Sequence, residues 1–177
     1  MNVSKAVELA FAEAIRDNAE MGECVTVRAW QSLESDGSWK KYPDRAFPMV
    51  DVRCSPPRTS EMQGGREVEC AILIGTKTDD DKSHAFVSQM YDEIQKVCDD
   101  LFADFRRADE TSEPLKTWLA TVEDNVESGG FGFGGFTFGE GLSPMDDGGV
   151  NMIGITMMVA GGEKGNKGER QCLISEH

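Results

Sequence analysis

The stretch Val68–Phe105 constrains the fold more than any other part of the chain. Val68, Cys70, Ile72 and Ile74 alternate with Glu69, Ala71 and Leu73, which is the period of a β-strand. The polar partners thin out after Glu69, so the spacing predicts a central, largely buried strand. Thr76–Asp81 reads as a turn whose carboxylates stand where a helix N-terminus accepts hydrogen bonds and negative charge. Phe86, Val87, Met90, Tyr91, Ile94, Val97, Cys98, Leu101, Phe102 and Phe105 then recur at steps of three and four, an amphipathic helix of about six turns. Asp92, Glu93, Lys96, Asp99 and Asp100 fall on its solvated side. A helix this apolar along one face needs a sheet to lie on.

Other elements supply that sheet. Ala6–Asn18 carries a helical apolar stripe of Val7, Phe11 and Ile15, with Ser4 as an N-cap and Gly22 closing the following turn. Val25, Val27 and Ala29 alternate with polar residues in a first strand, and Met49–Cys54 forms a second that Pro56-Pro57 stops. The second and central strands are expected to be antiparallel neighbours joined by a loose hairpin. Between the first two strands, Gln31–Pro48 is a long polar arm bearing Trp39 and Tyr42. After the long helix, Leu115, Trp118, Leu119, Val122 and Val126 predict another helix, which ends at Gly129-Gly130. Glycines then interleave with Phe131, Phe133, Phe136 and Phe138 in a stretch (129–141) read as a flexible loop entering a strand. A Pro/Asp/Gly loop leads to a last strand, Asn151–Ala160, so the final two strands are expected to form a hairpin with a long loop, and 161–177 has the composition of a mobile tail. The whole predicts an α+β fold: a single domain over 1–160, with one mixed, mostly antiparallel sheet and helices packed on one face.

At 177 residues the chain is long enough to bury a substantial core as one domain. It has no apolar run long enough to span a membrane. Glu8 and Glu13 within the first apolar pattern argue against a secretory signal. The five cysteines are odd in number, widely spaced and without a Cys-x-x-Cys. Cys54, Cys70 and Cys98 therefore read as reduced core residues, and the compartment as cytoplasmic. Acidic residues outnumber basic ones by 32 to 18, a formal charge of −14, which disfavours phosphate binding through a basic surface.

Motifs for catalysis do not cohere. Gly130–Gly135 matches G-x-G-x-x-G, but a helix precedes it and a strand follows, the reverse of the order a dinucleotide fingerprint needs. Asp79, Asp80, Asp81 and His84 lack the turn glycine and distal glutamate of a cation loop, so helix capping is the simpler role for them. Asp146-Asp147 reads as turn chemistry. No Ser or Cys sits in a nucleophile context, and Ser38–Lys41 fits S-x-x-K without its partner motifs. An acidic hydrolase would need one selected carboxylate pair, and nothing in the pattern selects one. No cofactor or metal is expected, and no enzymatic activity.

The layout itself carries a resemblance. An N-terminal helix, a strand, a polar arm and the Pro-flanked strand Phe47-Pro48-Met49-Val50-Asp51-Val52 come first. The central strand then runs into Thr76–Asp81 and the long helix with Met90-Tyr91-Asp92-Glu93-Ile94, and the loop-linked strand Asn151–Thr156 closes the order. Over Val7 to Ala160 this resembles the tail terminator and tail completion proteins of long-tailed bacteriophages and gene transfer agents. The resemblance implies a virion protein forming a ring, usually of six copies, on the tail tube. Such a ring ends tube polymerisation and joins the tube to the head connector, and DNA passes through it without specific binding. Trp39, Tyr42, Phe131, Phe133, Phe136 and Phe138 then become candidate interface anchors. Asp79, Asp80 and Asp81 become candidates for an acidic lumen, if they are not a helix cap. The alternative reading is a small cytosolic binding or regulatory domain.

Overall fold

Residues 66–107 fold as their pattern demands, into the central strand, a turn and the long helix. The computed structural model describes residues 3–22, 24–29, 46–59, 66–107, 109, 111–125, 132–141, 145–146 and 149–162. In chain order the elements are α1 (Val3–Asn18), β1 (Thr26–Ala29), β2 (Met49–Cys54), β3 (Arg58–Thr59) and β4 (Arg66–Lys77). Then come α2 (Ala85–Arg106), α3 (Glu113–Asn125), β5 (Gly132–Gly141), β6 (Met145–Asp146) and β7 (Val150–Gly162). One sheet runs in the order β1-β2-β4-β7-β5, with β3 pairing to β4 and β6 to β7. Among the described residues only the β1–β2 pair is parallel. The fold is α+β, with a mixed, mostly antiparallel sheet.

The register decides which face is apolar. Val50 and Val52 lie opposite Ile74 and Ile72, and Cys54 opposite Cys70. Val68, Cys70, Ile72 and Ile74 lie opposite Val159, Met157, Ile155 and Ile153. Paired residues share a face, so three strands present one continuous apolar surface, and all three helices pack into the same core with it. Val87, Met90, Ile94, Val97, Cys98 and Leu101 of α2 are buried there. α1 contributes Val7, Phe11 and Ile15, and α3 contributes Leu115, Trp118 and Val122. Phe11 and Trp118 meet edge to face with centroids 5.2 Å apart, which joins α1 to α3.

The other face is mixed. Ala71, Leu73, Thr156 and Met158 are half-buried, whereas Met49, Asp51, Gly75 and Met152 are buried. Phe47, joined to Pro48 by a cis peptide bond, lies against Gly75. A Cβ there would come within 3.0 Å of the Phe47 ring, so only glycine lets the ring approach the strand so closely. Gly75→Ala should therefore destabilise by about 1–3 kcal/mol through overpacking, read as a lower midpoint in urea unfolding.

Several expectations need correction. The expected pairing of the last two strands is present as β5 and β7, but the strand takes in all of Gly132–Gly141, where a flexible loop entering a strand was expected. β7 gives it a ready hydrogen-bonding edge that overrides the poor strand propensity of glycine. Ser4 lies inside α1 rather than at its cap, and its hydroxyl donates to Ser55 O. β4 and β7 run beyond the predicted spans, and β7 takes in Gly161 and Gly162 of the supposed tail. Residues 31–45 of the arm and 163–177 lie outside the described residues.

Candidate functional site

The acidic turn is a construction centre for the fold. Lys77 O accepts from the backbone N–H groups of Asp80 and Asp81 at 3.1 and 3.0 Å, which bends the chain back after β4. The Asp81 side chain then accepts from Phe86 N at 3.0 Å, Val87 N at 2.9 Å and Thr76 Oγ1 at 2.9 Å. Two of the otherwise orphaned N–H groups of α2 are thus satisfied by one carboxylate. Asn151, the register partner of Thr76, donates from Nδ2 to Asp81 O at 2.8 Å. The end of β4, the start of β7 and the start of α2 are locked by this one buried set. His84, which takes φ 58°, completes the bend before the helix. Burial pushes the Asp81 carboxyl up, but the Phe86 and Val87 amides, the Thr76 hydroxyl and nearby His84 outweigh it and hold the pKa below the usual carboxylate range. Asp79 and Asp80 are exposed and take no part. Of the three aspartates, Asp81 is the cap.

A second polar cluster sits on the sheet face away from the helices. Register places Arg28 beside Asp51 across β1 and β2. Arg53 Nε donates to Asp51 Oδ2 at 2.7 Å, and Arg28 Nε stands 3.7 Å from Asp51 Oδ1. Asp51 is fully buried. Burial pushes its carboxyl up to about 7, with the Arg28 charge opposing and Glu8 adding to the rise. The alternation of Met49–Cys54 puts Asp51 and Arg53 on the face opposite Val50 and Val52, but the partnership with Arg28 depends on a parallel pairing that no local pattern encodes.

The sign of the pH effect follows. An unfolded aspartate titrates near 4, so between there and about 7 the folded chain holds a proton that the unfolded chain has lost. The stability from this group is complete below the lower value and is lost as pH rises through the upper one. Thermal unfolding from mildly acidic to mildly alkaline pH should show Asp51→Asn losing part of the wild-type decline, a difference on the order of 1–4 kcal/mol. Parallel curves for the two proteins would contradict it.

Glu8 is the least expected residue. It is fully buried on α1, and its Oε1 accepts from Cys54 N at 2.8 Å. Among the described residues the β1–β2 ladder ends at Val52, and the Glu8 side chain takes the N–H of Cys54 just beyond it. Its presence in an apolar helical pattern was the available signal.

The aromatic candidates divide. Trp39, Tyr42 and Phe131 lie outside the described residues. Phe133, Phe136 and Phe138 fall in β5, where they are the register partners of Gly161, Val159 and Met157. The outer edge of β5 has no partner strand among the described residues. Between α1 and α3, Ala14, Asp17, Asn18, Glu113, Pro114, Thr117 and Trp118 line a cleft of about 140 Å³, below the roughly 300–1,000 Å³ of small-molecule sites. Among the described residues no three His, Cys, Asp or Glu side chains are grouped to hold a metal ion. No described helix is long and apolar enough to cross a membrane. Chemically, both clusters hold charges in place; neither sets a nucleophile against a base. A scan against protein-family models and a search of curated proteins found no match for the chain.

Proposed function

We propose that the chain is a structural subunit that closes into a ring, hexameric as the resemblance implies, on top of a bacteriophage or gene-transfer-agent tail tube. The ring ends tube polymerisation and joins the tail to the head connector, with DNA passing through. The observation that supports this reading is the element order. A helix and a short strand precede a long connection; the antiparallel strands β2 and β4 with short β3 between them, a capped turn, two helices and the strands β5, β6 and β7 follow. That is the layout on which the resemblance rests. The formal charge of −14 suits such a role, because a carboxylate-rich channel repels phosphate and lets DNA slide. The partners are other copies of the chain, the tube protein and the connector, in a particle assembled in the host cytoplasm.

Purified particles test this. The protein should be found in them, and particles made without it should show tails of uncontrolled length that fail to join heads. Phe131→Ser with Phe133→Ser, in a variant whose thermal unfolding confirms that it folds, should reduce joined particles. Absence from particles would sink the role, and a monomer that binds a small ligand would point to the binding-domain alternative. Normal joining by the double variant would remove those phenylalanines from the interface.

A further inference from the structure

β2 and β4 set two thiols side by side. Cys54 and Cys70 are direct register partners across the antiparallel pair. The next pair along, Ser55 with Glu69, is of the hydrogen-bonded kind, with Ser55 N donating to Glu69 O at 2.8 Å. The two kinds of pair alternate along an antiparallel ladder, so Cys54 and Cys70 occupy a non-hydrogen-bonded site, where Cα atoms approach to about 4.5 Å and side chains are closest. The Cys54 N–H agrees, since it points away from β4 to Glu8 Oε1 at 2.8 Å. A disulfide needs Cα atoms about 4.4–6.8 Å apart with β-carbons facing each other, and a non-hydrogen-bonded register pair is the cross-strand site suited to it. The two side chains are within hydrogen-bonding reach of each other, and both thiols are free.

Their exposures differ in a useful way. Cys54 is half-buried at the end of β2, whereas Cys70 is fully buried beneath α2, close to the buried Cys98. An oxidant in solution reaches Cys54 first, and Cys70 is the thiol placed to resolve what forms there.

We propose that Cys54 and Cys70 are a redox-responsive pair, which closes into a cross-strand disulfide stapling β2 to β4 when the protein meets a low-molecular-weight disulfide such as oxidised glutathione. Cys54 Sγ, as the thiolate, attacks one sulfur of the oxidant; the S–S bond breaks, and one glutathione thiolate leaves and takes up a proton. Cys70 Sγ then gives up its proton and attacks Cys54 Sγ. The mixed disulfide breaks, and the second glutathione leaves as a thiol. The two cysteines lose two electrons, the oxidant gains them, and both thiol protons end on the two glutathiones. Burial, the neighbouring Cys54 and Glu8 all push the Cys70 thiol well up, so closure is slow near neutrality and quickens as pH rises. This chemistry is the same whether or not the chain sits in a phage tail.

The test uses the full chain with Cys24→Ser and Cys172→Ser, which leaves the three core thiols. The protein is incubated with excess oxidised glutathione, quenched by alkylation, and read by intact mass and peptide mapping. The expected product is lighter by two hydrogens, maps to Cys54–Cys70, reverts with dithiothreitol and has a raised thermal midpoint. Adding Cys54→Ala should abolish it. A linkage through Cys98, or a glutathione adduct on Cys54 that never resolves, would overturn the proposal. So would failure of the folded protein to react under conditions that oxidise the same protein in denaturant.

Discussion

Replacing Asp81 with Ala should be among the most damaging single changes in the protein, costing about 3–5 kcal/mol. One carboxylate accepts from Phe86 N, Val87 N and Thr76 Oγ1, and the variant leaves all three donors inside the fold with no acceptor. Charge-assisted bonds of this kind are worth about 1.5–3 kcal/mol each, though not additively. Asp81→Asn keeps the shape and one acceptor oxygen, so it should lose roughly half as much. Asp79→Ala and Asp80→Ala, exposed on the same turn, should stay within about 0.5 kcal/mol of wild type. The pH dependence is opposite in sign to that of Asp51. Because the Asp81 carboxyl is held below its unfolded value, its contribution is present above about pH 4 and fades as the pH falls through the folded value. Urea titrations should therefore show wild type and Asp81→Asn converging in acid. A constant gap at every pH would mean that the carboxylate charge is not what holds the turn.

Cutting Ile94 or Leu101 back to Ala should cost about 2–5 kcal/mol each. Both are buried in the middle of the α2 stripe, against strands whose apolar face is continuous across three elements. A cavity at either position opens in a close-packed core shared by the sheet and three helices, which cannot collapse far to fill it. Asp92→Ala and Asp100→Ala, on the exposed side of the same helix, should be nearly silent. Denaturant unfolding of the four variants separates the faces, and equal losses from all four would refute this assignment of α2.

What the sequence made legible is what local geometry encodes. The alternation at Val68–Ile74 and the three–four spacing from Phe86 to Phe105 became β4 and α2 because a strand or a helix turns its side chains at a fixed period. Pro56-Pro57 bounded β2 correctly for a similar reason. The misses needed knowledge of a distant partner. A strand hairpinned to the last one was expected after the glycine stretch, but its start at Gly132 was not, because glycine carries no side-chain period and only β7 beside it sets the extent of β5. Arg28 and Asp51 meet through a parallel pairing that spans the long connection between β1 and β2. Of the candidate sites, the capping role of Asp81 was legible from its place before an amphipathic helix. The charged cluster around Asp51 and the buried Glu8 were not, because their burial is a property of the assembled sheet and helix.

The pairing of β4 with β7 has a consequence for how the chain is made. Thr76 and its partner Asn151 are 75 residues apart, with α2 and α3 between them. At roughly 5–20 residues per second, ribosomal synthesis of that interval takes about 4–15 s. For that time the central strand has emerged, but the neighbour on one of its sides has not. An apolar strand with an open edge is the species most prone to pair with the wrong chain. The docking of α2 onto β4 is available as soon as the helix emerges, so it serves as an interim cover for the nascent sheet. Changes that weaken α2 should thus lower the yield of soluble protein by more than their effect on the finished fold accounts for.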